Sequence, residues 1–81
     1  MSNREKYNRV FLTCFSVEPT VLNEKFVYQS VPTWDSVGNM SMVAALEEAF
    51  GIMMEMDDII DFSSYTKGIE LLKKYKVEIE A

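Results

Sequence analysis

The sequence predicts an all-α fold, a small antiparallel bundle of three main helices and one short helix with a long first loop. Three segments have apolar residues at helical spacing, and each follows a Ser or Asp that can cap a helix. The stretch between Pro19 and Pro32 has no such spacing. Because the chain has 81 residues, we expect one domain over residues 1–81, with its packed core at about residues 5–76.

The first helix is predicted to begin near Ser2, because Ser2 and Glu5 have the spacing of a capping box. Glu18-Pro19 is predicted to end it. Its apolar face comprises Tyr7, Val10, Phe11, Cys14 and Val17. Cys14 is therefore expected to be a buried, inert thiol. Residues 18–34 form the long connection, and residues 26–31 are predicted as loop despite some strand-like content, since no second strand is expected to pair with them.

The second helix is predicted to begin at Asp35 or Ser36, with Asp35 as N-cap and Gly51 just past its end. Helical spacing divides it into two faces. The core face comprises Met42, Val43, Leu46, Ala49 and Phe50. The opposite face comprises Val37, Met40, Ser41, Ala44 and Glu48.

Two further helices are predicted near the end of the chain. Residues 56–60 form a short third helix, and Ser63 or Ser64 caps the last one. The apolar face of the last helix comprises Tyr65, Gly68, Ile69 and Leu72, with Tyr75 beside it. Its C-terminal end carries Lys73, Lys74 and Lys76, where the helix dipole favours cations.

Composition argues against several classes of function. Residues 26–66 contain seven acidic residues and no Lys or Arg, a distribution that repels nucleic acid and attracts basic proteins. The alternative is a solvated acidic surface that only aids solubility. With no His and one Cys, we expect no zinc site, disulfide or catalytic triad, and Asp57, Asp58 and Asp61 lack the spacing of a calcium loop. The polar start and the absence of a long apolar run predict no membrane segment and a cytoplasmic location.

Ser36 is the candidate functional residue. It lies where the second helix begins, and the positive end of a helix dipole favours a phosphate on a hydroxyl there. Asp35-Ser36, followed ten residues later by Leu46-Glu47-Glu48-x-Phe50, resembles the attachment site of acyl carrier proteins. The resemblance covers about residues 5–76 and is strongest over residues 34–52.

The resemblance implies a non-catalytic, monomeric carrier. Ser36 would bear a covalent 4′-phosphopantetheine arm, donated by coenzyme A through a phosphopantetheinyl transferase, with Asp35 adjacent to it. The arm would hold acyl groups as thioesters for acyl-loading, condensing or acyl-transferring enzymes with basic docking surfaces. The residues that match the family's partner-docking helix are Val37, Met40, Ala44, Glu47 and Glu48.

The sequence departs from the family at several positions. Val37 replaces a usual Leu, Trp34 replaces a glycine-rich lead-in, and Gly38, Asn39 and Ser41 stand where fatty-acid-synthesis members often have acids. These departures favour a discrete carrier of a specialised pathway, polyketide-like or another secondary pathway. The alternatives are an aminoacyl or peptidyl carrier, or an unmodified acidic helical interaction module. A hydrolase is disfavoured because Ser36 has no histidine base and no nucleophile elbow.

An acyl pocket is expected between the second helix and the last two. Its predicted lining is Leu46, Met54, Ile59, Phe62 and Leu72. Methionine is dense in this part of the chain, at positions 40, 42, 53, 54 and 56. These side chains either fill gaps in the core or form a deformable wall for an acyl chain.

Overall fold

The computed structural model describes residues 2–80 and contains four α-helices. They are α1 (Asn3–Phe15), α2 (Ser36–Phe50), α3 (Met56–Asp61) and α4 (Tyr65–Lys73), with a 3-10 turn at Pro19–Val21 in the first loop. Within residues 2–80 no strand forms. The predicted all-α class, the short third helix and the long first loop are confirmed.

The α1 helix ends earlier than predicted. Ser2 caps its start by accepting the Glu5 backbone N–H, as expected. Ser16 then adopts the left-handed conformation, so the helix stops at Phe15 rather than at Glu18-Pro19. The Thr33 hydroxyl donates to the Phe15 carbonyl over 3.0 Å, which provides one of the last carbonyls with a partner.

The early end of α1 changes which residues face the core. The buried residues of α1 are Tyr7, Val10, Phe11 and Phe15. Phe15 therefore completes this face, and the prediction of a buried Cys14 was wrong, because that side chain is only half-buried. Val17 lies beyond the helix and is also half-buried.

The ends of α2 are those predicted. The Asp35 carboxylate accepts the Gly38 backbone N–H over 2.8 Å, and Gly51 closes the helix at φ 63°. A Cβ on Gly38 would lie 2.0 Å from the Thr33 carbonyl oxygen, so only glycine allows the loop to approach α2 this closely. Of the predicted core face, the fully buried residues are Met42, Val43 and Leu46, while Ala49 and Phe50 lie half-buried at its edge.

The long first loop supplies two large side chains to the core, Phe26 and Trp34. Trp34 stacks on Phe15 at 5.0 Å between ring centroids. Residues 26–31 are loop, as predicted, but they do find a pairing partner. Val27 forms an antiparallel bridge with Ser64, flanked by backbone hydrogen bonds of 2.8 and 2.9 Å. The first loop is thereby joined to the start of α4.

The last helix begins at a serine cap and buries one face in the core. Ser64, rather than Ser63, caps it by accepting the Lys67 backbone N–H over 2.9 Å. Its buried residues are Tyr65, Gly68, Leu71 and Leu72, whereas Ile69 is half-buried. Beyond α4, Val77 is buried and the Asn3 side chain donates to the Glu78 carbonyl over 2.9 Å. Ordered packing thus continues past residue 76.

Candidate functional site

Ser36 is the first residue of α2, and its side chain is exposed. Asp35 is also exposed, and its carboxylate is bonded to the N–H of Gly38. The Ser36 Oγ lies 3.1 Å from the hydroxyl oxygen of Tyr28, which reaches it from the first loop. The candidate hydroxyl is therefore accessible to solvent and hydrogen-bonded to one neighbour.

An open groove of about 380 Å³ begins at Ser36 and runs between the first turns of α2 and the short helix α3. Most of its surface is apolar. The lining residues are Tyr28, Ser36, Asn39, Met40, Met56, Ile59, Ile60, Phe62 and Ser63. An apolar chain attached at Ser36 would find this groove at its point of attachment.

The structure places only part of the predicted acyl pocket in this groove. Ile59 and Phe62 line it. The remaining three residues do not line it and lie in the packed core, and these are Leu46, Met54 and Leu72. The aromatic side chains fill the space between the helices, so the groove opens at the surface beside α3 rather than in the centre of the bundle.

Four of the five predicted docking residues share one exposed surface of α2. This surface, called the docking face below, comprises Val37, Met40, Ala44 and Glu48. Glu47 differs from them, because it is half-buried and its carboxylate accepts the Met54 backbone N–H over 2.8 Å. Glu47 therefore holds the turn between α2 and α3.

Exposed apolar side chains also occur on α3 and on the turn before it. Met53, Met56 and Ile60 are 84%, 62% and 71% exposed. Asp57 and Asp61 are exposed among them. The methionines thus divide into two groups, since Met42 and Met54 are buried in the core while Met40, Met53 and Met56 face solvent.

A buried carboxylate attaches α3 to the end of α4. Asp58 is 4% exposed and accepts hydrogen bonds from the Lys74 ammonium over 2.6 Å and from the Tyr75 hydroxyl. These two bonds lower the pKa of Asp58. The bond to Asp58 in turn raises the pKa of Lys74 and that of Tyr75. The Tyr75 hydroxyl also accepts the Glu55 backbone N–H over 2.9 Å, so one cluster holds the first turn of α3.

Asn39 attaches the other end of α3 to α2. Its side-chain oxygen accepts the indole N–H of Trp34 over 3.0 Å, and its amide donates to the Ile59 carbonyl over 3.2 Å. Trp34 and Asn39, two departures from the carrier family pattern, are thus partners in this structure. Together they set the distance between α2 and α3 where both helices line the groove.

Three residues of this region were missed by sequence reasoning: Tyr28, Asn39 and Asp58. A buried Trp needs a partner for its indole N–H, which is a signal that could have pointed to a nearby polar residue such as Asn39. Tyr28 and Asp58 have no comparable local signal. Their contacts depend on where the first loop and the end of α4 lie in the folded chain.

A second groove, of about 240 Å³, lies between α1 and α2. Its lining comprises Lys6, Arg9, Val10, Thr13, Cys14, Ala45 and Ala49. At 100° per residue, Ala45 points away from Ser36, so this groove is on the other side of α2. Partial burial raises the pKa of the Cys14 thiol, which disfavours the reactive thiolate.

Within residues 2–80 no group of acidic or sulfur side chains is arranged to hold a metal ion. The helices of this part of the chain are all too short or too polar to cross a bilayer. Comparisons with models of known protein families, with curated proteins and with solved structures gave no significant match.

Proposed function

We propose that this protein is a discrete acyl carrier, in which Ser36 bears a covalent 4′-phosphopantetheine arm. The observation that carries the proposal is the exposed Ser36 hydroxyl in the first turn of α2, at the mouth of an apolar groove. When bound, the arm supplies a terminal thiol that holds an acyl group as a thioester. The protein itself presents the cargo and catalyses no step.

The start of α2 suits a phosphate ester. Backbone N–H groups and the positive end of the helix dipole favour a phosphodiester at this position. The Asp35 carboxylate already occupies one of these groups, the Gly38 N–H, so a phosphate would face the remaining ones. In the transfer from coenzyme A, Ser36 Oγ forms the new bond to phosphorus, adenosine 3′,5′-bisphosphate leaves, and the hydroxyl proton passes to a base of the transferase.

The groove beside Ser36 is the proposed place for the acyl part of the cargo. Met40, Ile59 and Ile60 offer apolar contacts there, and burial of each methylene contributes up to about 0.8 kcal/mol. Leu46, Met54 and Leu72 would be reached only by a longer chain that displaces α3. We therefore expect thermal stability to rise with acyl length over a short range and then to level off. Identical melting of the apo, holo and medium-chain acyl forms would contradict sequestration of the cargo.

The acidic surface around the groove supports partners with basic docking surfaces, first a phosphopantetheinyl transferase and then acyl-handling enzymes. Glu48 is exposed on the docking face, and Asp57 and Asp61 are exposed on α3. These acids attract such partners and repel nucleic acid. We propose a monomer of a specialised pathway, working in the cytoplasm. A single half-buried cysteine fits a reducing compartment.

Mass spectrometry of the intact protein tests the proposal. After incubation with coenzyme A and a transferase of broad specificity, wild type should gain the mass of one phosphopantetheine. Ser36→Ala should gain none and keep its helical circular dichroism, because loss of this hydroxyl costs at most about 1 kcal/mol. Ser41→Ala removes another exposed hydroxyl from α2 and should be modified like wild type. Modification of Ser36→Ala would contradict the proposal. So would a wild type that stays unmodified while a control carrier is modified by the same transferase.

An unmodified acidic interaction module is the second candidate. The exposed Met53, Met56 and Ile60, bordered by acids, favour it because such a surface binds a partner without a prosthetic group. The same mass measurement separates the two candidates. The aminoacyl or peptidyl carrier differs in cargo, and the apolar lining of the groove supports acyl cargo over a charged aminoacyl group.

A further inference from the structure

Tyr28 and Ser36 form a hydrogen-bonded pair at the mouth of the groove. Their hydroxyl oxygens are 3.1 Å apart, and either hydroxyl can be the donor. Both side chains line the groove, although they are eight positions apart in the sequence. Within residues 2–80, no other side chain forms a hydrogen bond with the Ser36 hydroxyl.

The position of Tyr28 is fixed from several directions. Its backbone N–H donates to the Ser63 carbonyl over 2.8 Å. Its ring meets the buried Trp34 ring edge to face, with centroids 6.4 Å apart and planes at 82°. The next residue, Gln29, donates its backbone N–H to the Trp34 carbonyl over 3.0 Å. The Tyr28 hydroxyl is therefore held at Ser36 by the first loop and the core, not by the serine itself.

We propose that Tyr28 is a positioning residue for Ser36, both before and after attachment of the arm; this inference rests on the proposed carrier function. An exposed serine hydroxyl otherwise samples three staggered rotamers. The phenol holds it in one of them while Ser36 Oγ forms its bond to phosphorus. Tyr28 gives up no proton in this step.

After the transfer, Ser36 Oγ is an ester oxygen and has no hydrogen to donate. The Tyr28 hydroxyl then donates to an oxygen of the attached phosphate. This second contact holds the base of the arm on the Tyr28 side of Ser36, where the groove begins. The arm thus leaves the serine along the groove instead of into open solvent.

Tyr28→Phe tests the inference, because it keeps the ring and its contact with Trp34 and removes only the hydroxyl. The transfer should slow about fivefold in kcat, the effect of one ordinary hydrogen bond. The KM for the carrier should stay unchanged, because the docking face is intact. In the holo form, the phosphorus NMR signal of the phosphodiester should shift and sharpen as the phosphate loses its partner.

Tyr65→Phe is the matched control. It also removes one phenol hydroxyl and one hydrogen bond, in this case to Asn8 on α1 and away from the groove. Its transfer kinetics and phosphorus signal should match those of wild type. If wild type accepts the arm and Tyr28→Phe has the same kcat and the same phosphorus signal as wild type, the role of Tyr28 is overturned while the carrier function stands. A wild type that takes no arm would instead contradict the carrier function.

A measurement on the wild-type holo protein needs no variant. Nuclear Overhauser effects should connect the Tyr28 ring protons with the first methylene of the arm. Their presence supports the inference even if Tyr28→Phe folds poorly. Their absence, with the arm attached, overturns it.

Discussion

The two walls of the groove are stabilised by different physical means. One wall, formed by Tyr28 and the first turns of α2, adjoins an aromatic core centred on Phe11. The Phe11 ring lies 4.9 to 6.3 Å from six other aromatic rings, measured between centroids. The other wall is α3, a helix of six residues in which only Asp58 is buried. The first wall is stabilised by apolar burial, whereas the second depends on hydrogen bonds to its neighbours.

This difference indicates which wall can move. A six-residue helix has no stability of its own, so α3 relies on its neighbours, and Asn39 and Asp58 attach it to α2 and α4. Local opening begins where few apolar contacts are lost. We therefore infer that α3 opens more readily than the aromatic core, and that the core side, including Tyr28 and Trp34, keeps its position near Ser36.

Replacement of Phe11 by Ala should have the largest effect. The ring is fully buried among aromatic neighbours, and its loss should lower the free energy of unfolding by about 3–5 kcal/mol. Met53→Ala on the exposed turn before α3 is the control and should change it by less than about 0.5 kcal/mol. Urea unfolding followed by circular dichroism measures both. Comparable losses in the two variants would contradict the contrast between core and α3.

Asn39→Ala should have an intermediate effect, because Asn39 joins the two regions. The indole N–H of Trp34 and the Ile59 carbonyl both lose a partner. This loss should lower the free energy of unfolding by about 1–3 kcal/mol. Trp34 fluorescence should shift as the indole environment changes. Ser41→Ala, an exposed position on the same helix, should leave stability and fluorescence unchanged. An Asn39→Ala variant as stable as wild type would show that α3 is held without this link.

Asp58→Asn should loosen α3 and leave the core intact. The Lys74 ammonium loses its ionised partner, so amides of α3 should exchange with solvent on the order of tenfold faster. Amides of α1 should keep their protection in the same sample. Equal acceleration in α1 and α3 would mean that the two regions unfold as one unit.

The same carboxylate predicts a pH dependence of α3. Hydrogen bonds from Lys74 and Tyr75 hold the pKa of Asp58 below that of an Asp in the unfolded chain, which is about 3.9. The stabilisation is therefore complete above that value and is lost as pH falls through the lower pKa of the folded state. The ratio of α3 to α1 protection should decline below about pH 4 in wild type. In Asp58→Asn this decline should be absent.

The sequence predicted the parts of the fold that depend on local pattern. Helical spacing and caps located α1, α2 and α4. Asp35 and Gly51 lie at the two ends of α2 as predicted. The predicted end of α1 was wrong. The helix stops at Phe15 because Ser16 is left-handed and the distant Thr33 hydroxyl bonds the Phe15 carbonyl, and no spacing rule reveals either.

The candidate site was predictable to a similar extent. Ser36 stands at a helix start as expected, and two of the five residues predicted for the acyl pocket, Ile59 and Phe62, line the groove. The sequence did not separate these two groove residues from the core residues Leu46, Met54 and Leu72, because apolar periodicity is the same for both kinds of position. Tyr28 was missed since its approach to Ser36 depends on the pairing of the first loop with residues before α4.

The smallest effect on stability is expected at the docking face, because its four residues are all exposed. Val37 is 74% exposed and Glu48 is exposed, so Val37→Asp and Glu48→Lys should change the free energy of unfolding by less than about 1 kcal/mol. Both should slow transfer by partner enzymes, the first by placing a charge in an apolar contact and the second by reversing a charge that attracts a basic partner.

Added salt separates these two causes. Transfer to wild type and transfer to Val37→Asp should both slow as ionic strength rises, because salt screens the acidic residues that attract the partner. The rate of transfer to Glu48→Lys should depend less on salt, since part of the electrostatic attraction is already lost in this variant. Stopped-flow measurement of transfer at several salt concentrations, with melting curves for each variant, checks the prediction. An unfolded Val37→Asp would show that this face is part of the core, and transfer rates equal to wild type would show that partners dock elsewhere, with the exposed surface of α3 as the next candidate.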